Sequence, residues 1–448
     1  MFGQTSTNSP IAAGVAGASS SRSYAWLVFA LSFGLLLSDY MSRQVLNAVF
    51  PLLKVEWSLS DTELGALGGV VALMVGLLTF PLSILADRWG RVRSLILMAA
   101  LWSVATLGCA LANNFGQMFV ARLCVGIGEA AYGSVGIAVV LSVFPRHLRA
   151  SLSSAFIAGG AFGSVLGMAA GGALSAQFGW RWAFAGMAIF GLVLVGFFRL
   201  CITEARLQAQ RRTLGEEAQN APRRERLSLR PLMSALFSAR SLLCAYVGCA
   251  LQLLVMGSLI TWMPSYLSRY YGMATDRAGV TAAAFVLAAG AGMVLCGALT
   301  DWAARRAPGR KWLMAVAYSV TCCALLLTAF RLPAGMAQLV LIGAGMLLVG
   351  GTAGPASAAV ANLTNPAIHA TAFATLTLAN NLLGLAPGPF VTGLIADRIG
   401  LLGALQLIPL AGVLAALCFL VGRRTYAADL LRLEIQREAH ATKPQSSD

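Results

Sequence analysis

The chain has 448 residues, of which 58% are hydrophobic and 11% are charged, and its mean hydropathy is +0.76. A soluble domain carries about 25% charged residues, so this composition excludes an ordinary soluble globule and indicates a protein that lies in lipid. The net charge is +15, and the basic residues fall between apolar runs without stacking aromatic residues. That pattern excludes nucleic-acid binding and indicates contact with membrane lipids, whose headgroups are often anionic.

The cysteine and histidine residues give no sign of a metal site, a disulfide framework or a bound cofactor. The nine cysteines lie in or at the ends of apolar segments, with no ligand spacing and no paired loop positions. The three histidines, His147, His369 and His440, fall in loops or in the C-terminal tail. We therefore expect the cysteines to pack between helices, and we expect no metal ion or cofactor.

Taken in chain order, the sequence opens with a polar segment and then alternates apolar runs with short loops. Residues 1–24 lack an apolar run followed by a cleavage site, so we expect a disordered cytoplasmic tail rather than a signal peptide. A membrane span needs about 20 apolar residues, which predicts twelve spans, numbered here in chain order. Spans 1 to 6 are predicted at 25–50, 63–86, 94–112, 117–142, 151–175 and 183–201, and spans 7 to 12 at 240–266, 278–300, 312–330, 334–361, 370–396 and 401–422.

The charged stretch 202–239 divides these spans six and six, so we interpret it as a cytoplasmic linker. The sequence therefore predicts an all-α membrane protein with twelve transmembrane helices in two pseudo-symmetric six-helix bundles, 25–201 and 240–422. Residues 423–448 are predicted to form a cytoplasmic tail. With both termini in the cytoplasm, 24 of the 32 Lys and Arg residues lie on the cytoplasmic side, as the positive-inside rule requires.

Two cytoplasmic loops repeat one charge pattern at corresponding places in the two halves. The loop between spans 2 and 3 reads Asp87-Arg88-Trp89-Gly90-Arg91-Val92-Arg93, and the loop between spans 8 and 9 has Asp301 followed by four basic residues. Such an internal repeat favours a gate latch over a simple lipid anchor, because each acid can pair with a neighbouring helix end. The predicted gating loop therefore comprises Asp87, Arg88, Gly90, Arg91, Arg93 and Asp301.

Four charged residues lie well inside the predicted spans, all in the first half: Asp39, Arg43, Arg122 and Glu129. The first two are one helical turn apart in span 1 and the other two are two turns apart in span 4, so each helix presents an acid and a base on one face. A charge at the bilayer centre costs about 2.5–3.5 kcal/mol. The four residues form either a charge network that fixes helix register or a site for protons and an anion.

We favour the second interpretation, because arginine offers a fork that matches a carboxylate or a phosphate, and a buried carboxyl can change its protonation when its partner changes. In this hypothesis Glu129, together with Asp39, takes the proton. Glu129 pairs with Arg43 or Arg122 until an anionic substrate competes for the arginine. The second half offers four uncharged amides for substrate contact or for helix–helix hydrogen bonds, Gln252, Asn362, Asn380 and Asn381, and Gln252, Asn380 and Asn381 are the predicted substrate contacts.

These motifs resemble those of a known family. The loop after span 2 resembles the signature loop of the major facilitator superfamily, and Gly179-Trp180-Arg181-Trp182-Ala183-Phe184 between spans 5 and 6 is similar to that superfamily as well. Three further stretches look like the Spinster-like branch and related organic-anion permeases: Ser42 to Leu46, Gly126 to Tyr132, and Gly384 to Arg398.

The resemblance implies that Arg43, Arg122 and Glu129 carry the substrate and proton functions of that branch. The branch has an aspartate directly before the arginine of span 1, whereas this chain has Ser42 at that position and an acid one turn earlier, Asp39. The resemblance therefore leaves two possibilities open. Asp39 substitutes for the acid of the branch, or Glu129 acts alone.

The function predicted from these observations is secondary active transport by alternating access, coupled to protons, in a bacterial-type inner membrane. The expected partners are a small or amphipathic organic anion, protons and membrane lipids, with the chain acting as a monomer. A membrane enzyme is excluded because the sequence lacks a catalytic histidine, paired carboxylates at a span end and a phosphate-binding loop. The alternatives are a transporter-like sensor and a uniporter without proton coupling. Symport and antiport are equally compatible with these residues.

Overall fold

The computed structural model describes residues 10–213, 236–237, 239–305, 309–365 and 368–441, and within those ranges the chain is helical and contains no β-strand. The first half comprises α1 (Pro10–Trp57), α2 (Asp61–Trp89), α3 (Arg91–Leu111), α4 (Phe115–Glu129), α5 (Tyr132–Leu141), α6 (Arg149–Phe178) and α7 (Trp180–Cys201), and α8 (Glu204–Thr213) follows it. The second half comprises α9 (Arg240–Tyr271), α10 (Thr275–Ala304), α11 (Arg310–Ala329), α12 (Met336–Val349), α13 (Ala353–Leu363), α14 (His369–Ala379), α15 (Pro387–Leu407) and α16 (Ala411–Ala441).

The described residues contain eleven helical stretches that are long and apolar enough to cross a membrane. The last of them, Thr371–Leu433, is 63 residues long and corresponds to two spans. Gly400, at φ 82° and ψ 159°, interrupts the helix and divides this stretch. A residue with a side chain rarely adopts a positive φ, so the glycine makes this break possible. The prediction of twelve transmembrane helices is confirmed.

Three of the predicted spans are interrupted in the structure. Span 4 breaks between α4 and α5, and span 10 breaks between α12 and α13. Span 11 contains a π-helical segment, Asn380–Leu385, directly before α15. Pro387 begins α15 and has no N–H group to donate to the preceding turn, so that turn is free to widen.

The two halves meet along two pairs of helices, α2 with α15 and α6 with α10. On α2, a Cβ atom added to Gly69 would overlap the carbonyl oxygen of Ala386. On α6, a Cβ atom added to Gly172 would lie 3.2 Å from the Cα atom of Gly279. Glycine at these positions allows the backbones of the two halves to come into contact.

The ends of the described chain differ from the sequence-based boundaries. Helix α1 begins at Pro10 rather than at residue 25, because proline is accepted in the first turn of a helix and the alanines that follow favour helix. Helix α16 continues to Ala441, beyond the predicted end of span 12 at residue 422. Its extension is held by Asp429, which accepts hydrogen bonds from the backbone N (2.9 Å) and Oγ (2.6 Å) of Ser241.

The linker predicted at 202–239 begins with α8, which the sequence analysis did not identify. Residues 1–9, 214–235 and 442–448 lie outside the described residues. Disorder therefore stays a prediction for residues 1–9 of the N-terminal tail, whose later residues are helical, and the structure of most of the linker stays a prediction as well.

Candidate functional site

The charged residues of spans 1 and 4 meet in the core of the first half, where α1 lies beside α4. Arg43 on α1 points at Glu129 on α4, with Nη2 at 2.8 Å and Nε at 3.1 Å from the same carboxylate oxygen, Oε2. Asp39 lies one turn before Arg43, and its Oδ1 atom is 3.7 Å from Nη2. One guanidinium therefore lies between two carboxylates, with its short contacts to Glu129.

The two carboxylates are almost completely buried, whereas the arginine is not. The side chains of Glu129 and Asp39 are 0% and 4% exposed, and that of Arg43 is 21% exposed. Among the described residues, Oε1 of Glu129 and Oδ1 of Asp39 have no hydrogen-bond partner. A buried carboxylate without its full set of donors is costly, so the two carboxylates lie where positive charge and hydrogen-bond donors are in short supply.

Of the two arginines that the sequence leaves open as partners of Glu129, Arg122 contacts the backbone of α1 instead. Its Nη1 donates to the carbonyl oxygen of Ser42 at 3.1 Å and its Nη2 to that of Arg43 at 3.3 Å, and the residue is 1% exposed. It does not pair with Glu129, although both lie on α4. Arg122 thus attaches α4 to the backbone of α1 directly below the Arg43 side chain, and it adds a second positive charge near the two carboxylates.

The three amides predicted as substrate contacts do not hydrogen-bond to the four charges among the described residues. Gln252 is fully buried, and a Cβ atom on Gly412 of α16 would lie 3.5 Å from its Oε1 atom, so it faces the interior of its own bundle. Asn381 donates to the carbonyl oxygen of Thr377 and packs against α2 at Gly76. Asn380 begins the π-helical segment, and its Oδ1 atom has no partner among the described residues.

The acids of the two predicted gating loops pair within their own loops. Asp87 lies 3.5 Å from Arg91 and Asp301 lies 3.7 Å from Lys311, and the two carboxylate side chains are 64% and 76% exposed. Arg88 lies in the last turn of α2, and Arg93 lies in the first turn of α3. Gly90, between these helices, has φ 96° and leaves room for Glu204, whose Oε1 accepts a hydrogen bond from the backbone N of Val92 at 3.0 Å.

The opposite end of the molecule carries a charge cluster that joins the two halves. Asp61, at the start of α2, accepts two hydrogen bonds from the Arg269 fork at 2.7 and 2.9 Å and one from Lys54 at 2.6 Å. Asp397 on α15 accepts hydrogen bonds from the first residues of α2. We call this the Asp61 end of the molecule, and we call the end that carries Asp87 and Asp301 the Asp87 end.

Sequence reasoning missed this cluster. In the sequence, Lys54 and Arg269 are single basic residues near the ends of predicted spans, and Asp61 follows Ser60 as an acid in the first turn of a helix. Asp397 lies 336 residues from Asp61, so no local pattern links them. The sequence gives one signal for the cluster: acidic and basic residues both occur near the span ends at the Asp61 end.

Comparison with known proteins identifies the family. The model of the Major Facilitator Superfamily matches residues 31–389. A probable L-galactonate transporter of Escherichia coli (strain K12) is 28% identical over 59% of this chain and 59% of its own length. A gallate transporter of Pseudomonas putida is 26% identical over 66% of this chain and 69% of its own.

Among solved structures, the fold is shared with a bacterial homologue of the human lysosomal transporter Spinster, described as inward-facing and unoccupied. The TM-score is 0.79 at 20% identity, with 91% of this chain and 98% of that chain covered. The family match covers most of the chain, and the twelve-helix fold agrees with it. The chain belongs to the Major Facilitator Superfamily.

Proposed function

We propose that this protein is a secondary active transporter, not an enzyme, which carries a small hydroxylated carboxylate across the membrane together with protons. The observation that carries this proposal is the placement of Arg43 between two buried carboxylates, with the arginine alone partly exposed. A guanidinium that can be reached from solvent is a ligand for an anion. A buried carboxylate that shares this guanidinium is a site for a proton.

The coupling follows from competition for the arginine. A substrate carboxylate that binds the Arg43 fork displaces Oε2 of Glu129, which now lies 2.8 Å from Nη2. The released carboxylate stays in a buried, low-dielectric environment, where the neutral form is favoured, so it takes a proton. Asp39, one turn away on the same guanidinium, is the second acceptor. In this scheme the anion and the proton bind together and move in the same direction.

The substrate class is supported by the chemistry that the two relatives have in common. L-galactonate and gallate, named for those relatives, are both carboxylates that carry several hydroxyl groups. The carboxylate matches the Arg43 fork. For the hydroxyl groups, the unpartnered Oδ1 atom of Asn380 is a candidate acceptor in the second half. An amphipathic anion is the other candidate, because the fold is shared with a Spinster homologue.

We also propose an orientation in the membrane and a conformational state. The positive-inside rule places the Asp87 end, both termini and the linker in the cytoplasm of a bacterial-type inner membrane. The Asp61 end is then periplasmic, and its ion pairs keep that side closed in this structure. Alternating access requires these contacts to open while Asp87 and Asp301 engage the opposite half as a latch. One chain contains both halves, so a monomer suffices.

The proposal is tested in liposomes that contain the purified protein and a pH-sensitive dye. A panel of hydroxylated carboxylates and lysolipids is added to the wild type, to Glu129→Gln and to a matched control, Glu56→Gln. Glu56 is also an acid paired with an arginine in the first half, but it lies at the Asp61 end, 2.8 Å from Arg181. We expect one carboxylate to drive proton movement in the wild type and the control, and to bind without proton movement in Glu129→Gln.

Two results would contradict parts of this proposal. If Glu129→Gln couples the anion to protons as well as the wild type does, Glu129 is structural and Asp39 becomes the candidate acceptor. If the wild type moves an anion without any proton, the protein is a uniporter. Binding of the anion without any transport would support the sensor alternative.

A further inference from the structure

We infer that Asp397 is a positioning residue for the closed state of the Asp61 end: from the second half, it fixes the first turn of α2 so that Asp61 meets Arg269 and Lys54. This inference concerns how the two halves close. It depends neither on the substrate nor on proton coupling.

The hydrogen bonds at the start of α2 carry the inference. The first four N–H groups of a helix have no partner within the helix. In α2, the capping box of Ser60 and Glu63 provides for two of them: the N of Ser60 donates to Oε2 of Glu63 at 2.8 Å, and the N of Glu63 donates to Oγ of Ser60 at 3.1 Å. The remaining two, the N–H groups of Asp61 and Thr62, both donate to Asp397 at 2.8 Å.

The cap of α2 is therefore divided between its own half and the other half. Asp397 accepts a third bond, from Oγ1 of Thr62 at 2.6 Å. Hydrogen bonds to a carboxylate are stronger than those between neutral groups, and negative charge is favoured at a helix N-terminus. The carboxylate of Asp397 can accept these hydrogen bonds only while α15 lies directly against the start of α2.

Asp61 is consequently held by the second half at three points. Asp397 holds its backbone N–H group, and Gly393, one turn earlier on α15, lies against its backbone oxygen so closely that a Cβ atom there would overlap it. Arg269 on α9 holds its carboxylate through two hydrogen bonds. With the backbone fixed from one helix, the carboxylate is aimed at the arginine of another.

These contacts favour closure more than they favour folding. Asp397 is exposed, so water can replace its bonds when the halves separate. Loss of the carboxylate should therefore leave each bundle intact and shift the equilibrium between closed and open Asp61 ends. A typical loss of a helix N-cap corresponds to about a fivefold change in an equilibrium constant.

The test is hydrogen–deuterium exchange of the full chain in lipid nanodiscs without substrate. The variants are Asp397→Ala, Asp397→Asn, Asp61→Asn as a reference that breaks the ion pair directly, and Asp276→Asn as the control. Asp276 is an acid in the first turn of a helix at the same end, α10, and no hydrogen bond or ion pair of its side chain occurs among the described residues.

For Asp397→Ala we expect about fivefold faster exchange in the peptide 58–66 and slower exchange in the peptide 85–95 at the Asp87 end, because one end closes as the other opens. Asp397→Asn, which retains one acceptor oxygen, should give a smaller change in the same direction, and Asp276→Asn should give none. If Asp61→Asn changes both ends while Asp397→Ala changes only 58–66, Asp397 is a local cap and the inference is overturned. Unchanged exchange at 58–66 in Asp397→Ala overturns it too.

Discussion

At the scale of single residues, the main feature of the candidate site is an excess of negative charge around Arg43. Two buried carboxylates share one guanidinium, and the short contacts go to only one of them. A neighbouring arginine, Arg122, forms no ion pair with either carboxylate: two of its nitrogens donate to carbonyl oxygens of α1, and its Nε has no hydrogen-bond partner among the described residues. The arrangement stabilises the ionised site while leaving Asp39 with an incomplete set of partners.

This imbalance predicts a strong coupling between Arg43 and Glu129. Arg43→Gln leaves two buried carboxylates without a direct cation, and loss of one partner from a buried pair costs about 3–5 kcal/mol. Glu129→Gln in the same background removes one of the unpaired charges, so we expect it to restore part of the loss. The measurement is thermal unfolding of the wild type, both single variants and the double variant in the same detergent. Additive effects of the two substitutions would contradict the pairing.

The residue scale also shows why spacing is an incomplete guide to a partner. Arg122 and Glu129 are two turns apart on one helix, and this spacing places them on a common face. In the structure both residues do face α1. Their partners on α1 differ, however: Glu129 contacts the side chain of Arg43, whereas Arg122 donates to the carbonyl oxygens of Ser42 and Arg43. Helical periodicity fixes direction around the axis, whereas the partner depends on where the neighbouring helix crosses.

At the scale of elements, α2 is the helix whose packing decides contact between the halves. Its glycines face α15 and the segment directly before it: Gly65 lies against Pro389, Gly69 against Ala386 and Gly76 against Asn381. Backbone contact of this kind holds two helices together without long side chains that would interlock. The interface is therefore able to separate as a unit when the Asp61 end opens.

A single methyl group on this face should weaken the closed state. In Gly69→Ala the new Cβ would overlap the carbonyl oxygen of Ala386, so α15 must move away. Overpacking of this kind typically costs about 1–3 kcal/mol. The matched control is Gly297→Ala on α10, where nothing lies within 4 Å of an added Cβ and the alanine should be neutral or stabilising.

We would measure thermal unfolding and the exchange of the peptide 58–66 in both glycine variants. Gly69→Ala should show a lower melting temperature and faster exchange, and the control should show neither. Equal behaviour of the two variants would mean that contact between α2 and α15 does not limit closure.

At the scale of the whole molecule, two six-helix halves pack along two pairs of helices, α2 with α15 and α6 with α10, and charged groups join them at the Asp61 end. The ion pair between Asp61 and Arg269 spans 208 residues of sequence, and the bond between Asp61 and Asp397 spans 336. At the other end, Asp87 and Asp301 are exposed and pair within their own loops. This asymmetry suits a molecule whose halves rock about a central site.

The proposed orientation is itself a prediction. Because most basic residues cluster at the Asp87 end, we expect the C-terminus to lie in the cytoplasm. Green fluorescent protein fused after residue 448 should fluoresce, and alkaline phosphatase fused at the same place should be inactive. A phosphatase fusion at the loop 272–274, at the Asp61 end, is the control and should be active. The reverse pattern would invert the assignment of both ends.

The sequence by itself determined the class of protein, the number of spans and the family motifs. These are local properties: a run of apolar residues crosses lipid whatever its neighbours are, and a charge inside such a run stands out without a structure. For this reason Asp39, Arg43, Arg122 and Glu129 could all be named in advance. The helix break at Ala130–Ala131 was less accessible, because tertiary packing decides whether a glycine-rich segment interrupts a helix.

Only the tertiary structure decided which group each charge contacts. In the structure Arg43 pairs with Glu129, Arg122 donates to the backbone of α1, and Gln252 faces the interior of its own bundle. It also brought Asp61, Arg269 and Asp397 together from three distant helices. The physical reason is the range of the interactions: hydropathy acts along the chain, whereas an ion pair or a helix cap needs atoms within about 3 Å, and the arrangement of the helices alone sets that distance.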